Sequence, residues 1–358
     1  MELTEILRRA IEAKTSDILF VAGLPVTCKV RGKLTRLEET GVLYPQHLVD
    51  YIDEMYKLAD REKKTLEATG EDDFSFSVRE LSRFRVNVLK QRGSLAAVIR
   101  IVSFELPDFR KMNVPENVMQ FSSYTKGLIL VSGPAGSGKT TTLACIIKAI
   151  NDSREGHIIT IEDPIEFLHR HSSSIVTQRE LSIDTMSYDA ALRAALRQAP
   201  DVILLGEMRD HETIKAVITA AETGHMIIST LHTVGAANTI ERIIDIFPPG
   251  QQQQIRIQLA MVLQGIVSQQ LLPTVDGGLV PAFEVMTANA AIGNLIREAK
   301  GHQIESIIYS SAGEGMITMD SSLFNLVQSG RVSAAEALSH SINRDQLEKR
   351  LRMAGLMK

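Results

Sequence analysis

The sequence lacks features that mark several common classes of protein. It has no tryptophan, 5% aromatic residues and only two cysteines, Cys28 and Cys145, which lie far apart and outside any C-x-x-C pair. A cysteine-based structural zinc module is therefore excluded, and the cysteine usage fits a reducing compartment. At 358 residues, with 44% hydrophobic and 23% charged residues, the chain is long enough for two soluble domains with cores of their own.

A large excess of charge and a long apolar run are also missing. The formal net charge is −4, so no global attraction to nucleic acid or to an anionic membrane is expected. No apolar run approaches the ~20 residues that a membrane span needs. The acidic segment 1–5 lacks the basic-then-apolar pattern of a secretory signal. We therefore expect a cytoplasmic protein that binds no nucleic acid and meets a membrane only peripherally, through partners.

What the sequence does contain is a phosphate-binding motif. Residues 133–140 read G-P-A-G-S-G-K-T, after the apolar run 128–131 and before a helical pattern. This strand, loop and helix context separates a P-loop from a chance match. Glycines let backbone N–H groups turn toward a phosphate, and the start of a helix attracts the same anion. The predicted nucleotide-binding residues are Gly133, Pro134, Ala135, Gly136, Ser137, Gly138, Lys139, Thr140 and Thr141.

Within this motif, two side chains have specific predicted roles. Lys139 is expected to reach the β- and γ-phosphates of a nucleoside triphosphate, and Thr140 to ligate Mg²⁺. The alternative is a glycine-rich turn between a strand and a helix that holds no ligand. The flanking apolar strand and helix favour the phosphate site.

The chain divides by pattern into two parts. Residues 1–102 mix short helical and strand patterns, with predicted helices at 3–11 and 45–58 and predicted strands at 18–21, 28–31, 73–78, 83–89 and 96–102. We predict an α+β unit there. Segment 103–123 contains Pro107 and Pro115 and little periodicity, so it is predicted to be an interdomain linker.

From residue 124 onward, strands and helices alternate. Predicted buried strands lie at 128–132, 158–161, 202–205 and 226–231, with helices near 140–150, 188–198 and 211–223. Continuous Ile/Leu/Val runs indicate a parallel sheet covered on both faces. After residue 248 the pattern predicts a mostly helical C-terminal extension.

Carboxylates follow the predicted strand at 158–161. Glu162, Asp163 and Glu166 would lie at the carboxyl edge of the sheet, where open α/β sheets bind ligands. Hydrolysis needs a carboxylate to orient or deprotonate the attacking water. A solvated acidic turn is the alternative, and the residues alone do not rank the three carboxylates.

Two further strand ends carry polar candidates. The run 201–210 has the Walker B pattern of a buried strand that ends in an acidic residue, so Glu207 would act on Mg²⁺ directly or through water. An ordinary helix-capping loop is its alternative. His232 follows the strand at 226–231 and could sense the γ-phosphate or steady the water. For His225, at the start of that strand, a structural role is expected.

A basic cluster in the N-terminal part has three interpretations. Its members are Arg79, Arg83, Arg85, Lys90, Arg92 and Arg100. They could form a nucleic-acid stripe, a solvated strand face or the rim of a phosphate site. Aromatic interleaving is limited to Phe84, which weakens the nucleic-acid option.

Taken together, these motifs resemble those of a known family. The segments 133–140, 161–166, 205–210 and 230–233 look like the four boxes of the secretion-type ATPases that power type IV pili and type II secretion. Segments 83–88, 91–93, 96–100 and 291–298 are similar to other parts of the pilus-retraction members, so the resemblance covers nearly the whole chain. The family commonly has arginine where this chain has Gly293. Extension ATPases typically carry a longer N-terminal region and a tetracysteine zinc module, and their absence favours retraction.

The resemblance implies a fold and a set of roles. The fold is α/β: a PAS-like α+β domain at 1–102, a linker at 103–123, and a RecA-like P-loop ATPase domain at 124–358 with a helical C-terminal extension. It also implies a homohexamer that hydrolyses Mg²⁺-ATP at the inner face of the cell membrane and acts on an inner-membrane pilus platform protein. The implied catalytic residues are Glu166 as base, Glu207 as Walker B carboxylate, His232, and the arginine fingers Arg85 and Arg100.

Several alternatives stay open at this point. The chain could be an accessory retraction paralogue or a related type II secretion or pilus-assembly ATPase. A DNA-translocating RecA-like ATPase would be stimulated by DNA with a steep salt dependence. A regulatory nucleotide-binding module would bind ATP without turnover.

Overall fold

The computed structural model describes residues 1–30, 33–102 and 106–357. Arg31 at the end of a predicted strand and residues 103–105 of the predicted linker lie outside the described residues. The chain forms two compact units, one comprising 1–105 with 166–168 and the other 106–165 with 169–358.

The first unit is built on an antiparallel sheet. Its strands are β1 (Thr15–Phe20), β2 (Thr27–Val30), β3 (Lys33–Arg36), β4 (Glu71–Val78), β5 (Ser82–Gln91) and β6 (Ser94–Val102), in the order β3-β2-β1-β6-β5-β4. Its helices are α1 (Leu3–Glu12), α2 (Pro45–Leu58) and α3 (Lys64–Thr69). The α+β architecture predicted for this part is confirmed.

Alternation along β5 shows how this sheet separates its two faces. Phe84, Val86 and Val88 are buried in the core with residues of α1 and α2, whereas Arg85 and Asn87 are only half-buried. Because successive side chains of a strand point to opposite faces, one face of the sheet carries the core and the other carries polar groups.

The second unit is built on a mostly parallel sheet. Its strands are β7 (Gly127–Ser132), β8 (His157–Glu162), β9 (Ile175–Glu180), β10 (Val202–Leu205), β11 (Met226–Leu231), β12 (Leu263–Pro273) and β13 (Leu279–Thr287). Their order is β13-β12-β7-β11-β10-β8-β9, and β13 runs antiparallel to β12. Every residue of the neighbouring strands β7 and β11 is buried, as expected for a sheet covered on both faces.

Helices of the second unit cover both sheet faces and form the C-terminal extension. They are α4 (Glu116–Met119), α5 (Lys139–Ser153), α6 (Tyr188–Ala195), α7 (His211–Glu222), α8 (Ala236–Asp245), α9 (Pro249–Val262), α10 (Ala290–Arg297), α11 (Ile304–Ser310), α12 (Met319–Gln328), α13 (Ala334–Ser339) and α14 (Arg344–Met353). Helices α12, α13 and α14 share a smaller core with β12 and β13. The predicted P-loop α/β class is confirmed. Across the described residues, no helix is both long and apolar enough to cross a membrane.

Two parts of the fold differ from the sequence-based expectation. The region after residue 248 is mostly helical, as predicted, but it also contributes β12 and β13, which complete the sheet and were not predicted. Helix α9 ends at Val262 and β12 begins at Leu263, so no turn signal separates them. Segment 106–123 of the expected linker contains α4 and buries Val118 and Phe121 in the core of the second unit.

Candidate functional site

The P-loop joins β7 to α5 at the carboxyl edge of the second unit's sheet. Its glycines meet steric demands that other residues would not. Gly133 has a φ of 145°, and a Cβ on it would lie 2.1 Å from the Gln269 carbonyl oxygen. Gly138 has a φ of 88°, and its Cβ would lie 2.9 Å from the Gln269 amide nitrogen. The loop is therefore a close-packed cradle that only glycine backbone can form at these points.

The Lys139 side chain folds back onto the P-loop backbone. Its Nζ donates hydrogen bonds to the carbonyl oxygens of Gly133 at 2.8 Å and Pro134 at 2.9 Å, and the side chain is buried. Pro134, Ala135 and Gly136 are exposed at the tip of the loop. A phosphate offers the same kind of acceptor to the ammonium group, so the loop fits an anionic ligand.

The hydroxyl side chains in and after the P-loop make fewer contacts than Lys139 does. Ser137 is buried, and its Oγ has no hydrogen-bond partner in the described chain. Thr140 and Thr141 are half-buried in the first turn of α5. The first N–H groups of a helix lack acceptors within the helix, so this turn adds the anion-binding features of a helix start.

Gln269 on β12 braces the loop and was not found by sequence reasoning. Its Oε1 accepts a 2.7 Å hydrogen bond from Thr142 Oγ1 on α5, and the residue is buried. The same side chain lies against Gly138, and its carbonyl lies against Gly133. Gln269 thus contacts the P-loop at both ends, although it lies more than a hundred residues later in the sequence. It belongs to no local motif that would predict this contact.

Glu207 and His232 meet across the ends of adjacent strands. His232 Nε2 lies 3.3 Å from Glu207 Oε2, and the Glu207 carboxylate also pairs with Arg209. Thr230 Oγ1 donates a 2.6 Å hydrogen bond to the Gly206 carbonyl oxygen, which ties the two strand ends together. The structure therefore brings together the two residues predicted after β10 and β11.

Tyr188 is a second side chain that the sequence did not indicate. Burial raises the pKa of its hydroxyl, and the carboxylates of Glu207 and Asp163 raise it further. A Cβ on Gly206 would lie 2.8 Å from the Tyr188 hydroxyl oxygen, so this glycine makes room for the tyrosine. The hydroxyl therefore stays protonated at neutral pH beside the Glu207 carboxylate.

The acidic segment after β8 places its carboxylates in different surroundings. Glu162 is buried, and its Oε1 accepts hydrogen bonds from Thr160 Oγ1 at 2.6 Å and Gln178 Nε2 at 3.2 Å. Asp163 is exposed and precedes a cis peptide bond to Pro164. Glu166 belongs to the short segment that groups with the first unit. Glu162 therefore braces the strand end, which leaves Asp163 and Glu166 as candidates for the base.

His225 lies away from these groups. It stands at the amino end of β11, where its Nδ1 lies 3.2 Å from the Ala220 carbonyl oxygen and 3.1 Å from Thr223 Oγ1. His232 stands at the opposite, carboxyl end of the same strand. The two histidines are therefore separated by the length of the strand, and across the described residues the hydrogen bonds of the His225 side chain stay within its own turn.

In the first unit, the basic cluster separates into parts. Arg79 and Arg92 lie in the turns at opposite ends of β5, and Arg92 has a φ of 47°. Arg85 and Arg100 are direct cross-strand partners on β5 and β6. The cluster does not form one continuous stripe, and the two arginines predicted as fingers are the pair that lies side by side.

Gly293 lies inside α10 with room for a side chain. A Cβ there would lie 3.5 Å from Arg297 Nη1 and 3.8 Å from the Ala260 carbonyl oxygen, which is ordinary van der Waals contact. The Arg297 guanidinium covers the glycine and donates a hydrogen bond to Asn294 Oδ1. Glycine at this position is therefore compatible with a regular helix, in which the Arg297 side chain covers it.

Comparisons with known proteins complete the description of this site. The family described as Type II/IV secretion system protein matches residues 2–335. The chain is similar to the Type IV pilus retractation ATPase PilT of Pseudomonas aeruginosa, with 42% identity over 94% of this chain and 97% of that protein. It is 35% identical to the Type IV pilus ATPase PilU of the same organism, over 99% of this chain and 92% of that protein. Its structure is similar to the crystal structure of the pilus retraction motor PilT with bound ADP, with a TM-score of 0.90, 45% identity, and coverage of 98% of this chain and 99% of that chain.

Proposed function

The chain belongs to the type II/IV secretion system protein family as one of its ATPases, and we propose that it is a hexameric motor that hydrolyses Mg²⁺-ATP to retract type IV pili and drive twitching motility. The observation that supports this most directly is the meeting of three groups at one sheet edge. The P-loop, Glu207 and His232 follow β7, β10 and β11, which are neighbours in the sheet.

The P-loop residues would bind the triphosphate. Lys139 would pass from the carbonyl oxygens of Gly133 and Pro134 to the β- and γ-phosphate oxygens. Thr140 and Glu207 would hold Mg²⁺, which when bound neutralises charge on the phosphates. Among the residues that the structure describes, no group of three or more His, Cys, Asp or Glu could hold a metal.

Glu166 is proposed as the base for the attacking water. It would take a proton while the water oxygen bonds to the γ-phosphorus and the bond to the β–γ bridging oxygen breaks, giving ADP and phosphate. His232 would hold the Glu207 carboxylate in place and respond to the γ-phosphate. Glu162 is engaged by Thr160 and Gln178, which supports assigning the base elsewhere.

Arg85 and Arg100 are proposed as arginine fingers that a neighbouring subunit of the ring supplies. A guanidinium stays charged at every working pH and matches the planar oxygens of a phosphate. In this proposal the ring of six works at the inner face of the cell membrane, and its cycle pulls on an inner-membrane pilus platform protein.

Three measurements on the purified protein and in cells test this proposal. We expect a particle of six chains in solution, ATP turnover that Lys139→Ala abolishes, and recovery of twitching when the wild-type gene enters a strain without its retraction motor. ATP binding without turnover would instead support a regulatory module. Turnover that DNA stimulates with a steep salt dependence would support a DNA translocase.

A further inference from the structure

The outer face of the first unit's sheet carries a row of polar residues across four strands. Asp17 on β1 is paired with Arg100 on β6, Arg100 with Arg85 on β5, and Arg85 with Ser75 on β4. Like charges directly opposite each other on adjacent strands destabilise a sheet. Two arginines side by side in such a row therefore need a nearby anion.

Asp17 supplies one part of that negative charge. Its Oδ1 accepts a 3.0 Å hydrogen bond from Arg100 Nε, and its Oδ2 lies 2.9 Å from Ser16 Oγ. The Asp17 side chain is 16% exposed, whereas that of Arg100 is 68% exposed. The Asp17 carboxylate is thus held by Ser16 through one oxygen, and through the other oxygen it binds the Nε of Arg100.

A local irregularity of β1 aims this carboxylate. The pairing of β1 with β2 shifts register between Thr15 and Asp17, as at a β-bulge. Bulges of this kind re-aim a side chain relative to the regular pleat. Asp17 also lines a surface cavity of about 250 Å³ together with Asp73, Arg85, Asn87, Val98 and Arg100.

The contact geometry of this row leaves arginine donors that suit a phosphate group. Asp17 pairs with Arg100, whereas across the described residues Arg85 forms no ion pair, and Asp73 lies one step along the sheet, opposite Asn87. The Asp17 contact at Nε leaves the two terminal nitrogens of Arg100 directed outward, where they can donate to planar oxygens.

We propose that Asp17 is a positioning residue for Arg100, which it holds at Nε so that the terminal nitrogens face the phosphates. The inference rests on the proposed function, in which Arg100 acts on nucleotide bound by another subunit. Asp17 itself does not touch the nucleotide. Its removal lets the long arginine side chain sample many rotamers, so the finger reaches the productive geometry only part of the time.

The first test is steady-state ATP turnover by Asp17→Asn. We expect kcat to fall about 10- to 100-fold, toward the value of Arg100→Ala, because a misplaced donor forfeits much of its transition-state effect. The KM for ATP should change less than about two-fold, since the P-loop is intact. Asp17→Glu, which keeps the charge, should recover part of kcat. Glu39→Gln, which breaks the exposed pair with Arg9, is the matched control and should leave kcat unchanged.

The second test assigns Asp17 to a side of the site by mixing subunits. Asp17→Asn mixed with Glu166→Gln should regain turnover, whereas Asp17→Asn mixed with Arg100→Ala should not, because both lesions lie on the finger side. Wild-type kcat in a folded Asp17→Asn variant, or recovery in the mixture with Arg100→Ala, would overturn the inference. If Arg100→Ala itself keeps full turnover, the finger assignment in the proposed function fails instead.

Discussion

The second unit has a phosphate edge, formed by the P-loop, Glu207 and His232, and the first unit has an outer sheet face that carries Asp17, Arg85 and Arg100. The two regions gather charged groups by different means. At the phosphate edge, consecutive residues shape one loop, and glycines such as Gly133 and Gly138 let the backbone itself form the site. On the sheet face, Asp17, Arg85 and Arg100 come from three strands and meet only through register. The difference teaches that a backbone-built site is visible in a short motif, whereas a site built from side chains across strands is not.

The largest expected effects concern the acidic segment after β8, where one carboxylate is proposed to react and another to brace the strand. If Glu166 is the base, Glu166→Gln should lower ATP turnover about 1,000-fold while the free energy of unfolding stays near the wild-type value. Glu162→Gln should do the reverse, because Glu162 accepts hydrogen bonds from Thr160 and Gln178. It should cost about 1–3 kcal/mol of stability and little turnover.

Turnover and denaturant unfolding of both variants distinguish these outcomes. Asp163→Asn completes the set, since Asp163 is the remaining exposed carboxylate of this segment. A thousand-fold loss in Asp163→Asn, with Glu166→Gln active, would move the base to Asp163.

Gln269 tests whether a distant strand is part of the phosphate edge. Gln269→Leu removes the acceptor of the Thr142 hydroxyl while it roughly keeps the volume. We expect turnover to fall about 10-fold or more because small displacements of the loop misplace the reacting groups. Gln270→Leu is the matched control, since the neighbouring buried glutamine donates to the His340 carbonyl oxygen instead.

Both glutamine variants should lose stability by about 1–3 kcal/mol. Nucleotide affinity, measured by the change in fluorescence of a labelled ADP, should fall only for Gln269→Leu. Equal affinity in the two variants would show that Gln269 fills space and does not shape the loop.

His169 offers a pH test of the buried surroundings of the acidic segment. Burial lowers the pKa of His169 to about 4, with the Lys148 ammonium acting in the same direction. Because the unfolded chain takes up the proton near pH 6.5, this histidine contributes stability that is complete above that pH and is lost as the pH falls toward 4. The free energy of unfolding should therefore drop by about 2 kcal/mol between pH 7 and pH 5.

His169→Gln should flatten this dependence, whereas His302→Gln, at an exposed histidine, should not. Urea unfolding at several pH values gives the slopes. A slope that persists unchanged in His169→Gln would mean that other groups cause the acid sensitivity.

The smallest expected effect is a gain at Gly293. Gly293→Ala should stabilise the protein by about 0.5–1 kcal/mol, because the helix interior has room for a Cβ and alanine restricts the unfolded chain. Gly265→Ala on β12 is the opposite case, since its Cβ would lie 2.2 Å from Phe121 Cε1 and should cost about 1–3 kcal/mol. Thermal unfolding of both variants checks the two signs.

Particular residues show how far the sequence leads. The P-loop, Glu207 and His232 were predictable because each follows a buried apolar strand within a few residues. Gln269 and Tyr188 were not, since they reach the site from other elements and belong to no local pattern. The strands β12 and β13 were missed because α9 runs into β12 without a turn and because buried glutamines interrupt the apolar run.

The choice among the acidic residues shows a different limit. Glu162, Asp163 and Glu166 lie within five positions of one another, and no spacing rule tells a bracing carboxylate from a reacting one. The hydrogen bonds of Glu162 provide that information only once the neighbouring strand is in place. Similarly, the pairing of Asp17 with Arg100 depends on the sheet register, which composition and periodicity do not fix.

The most direct test of the central claim is ATP turnover in mixed rings of Glu166→Gln and Arg100→Ala subunits. Each variant alone should be nearly inactive. If neighbouring subunits build each site together, mixing should restore turnover, because some interfaces then combine an intact base with an intact finger. Mixed rings that stay as inactive as their parents, although the two variants exchange subunits, would contradict the account.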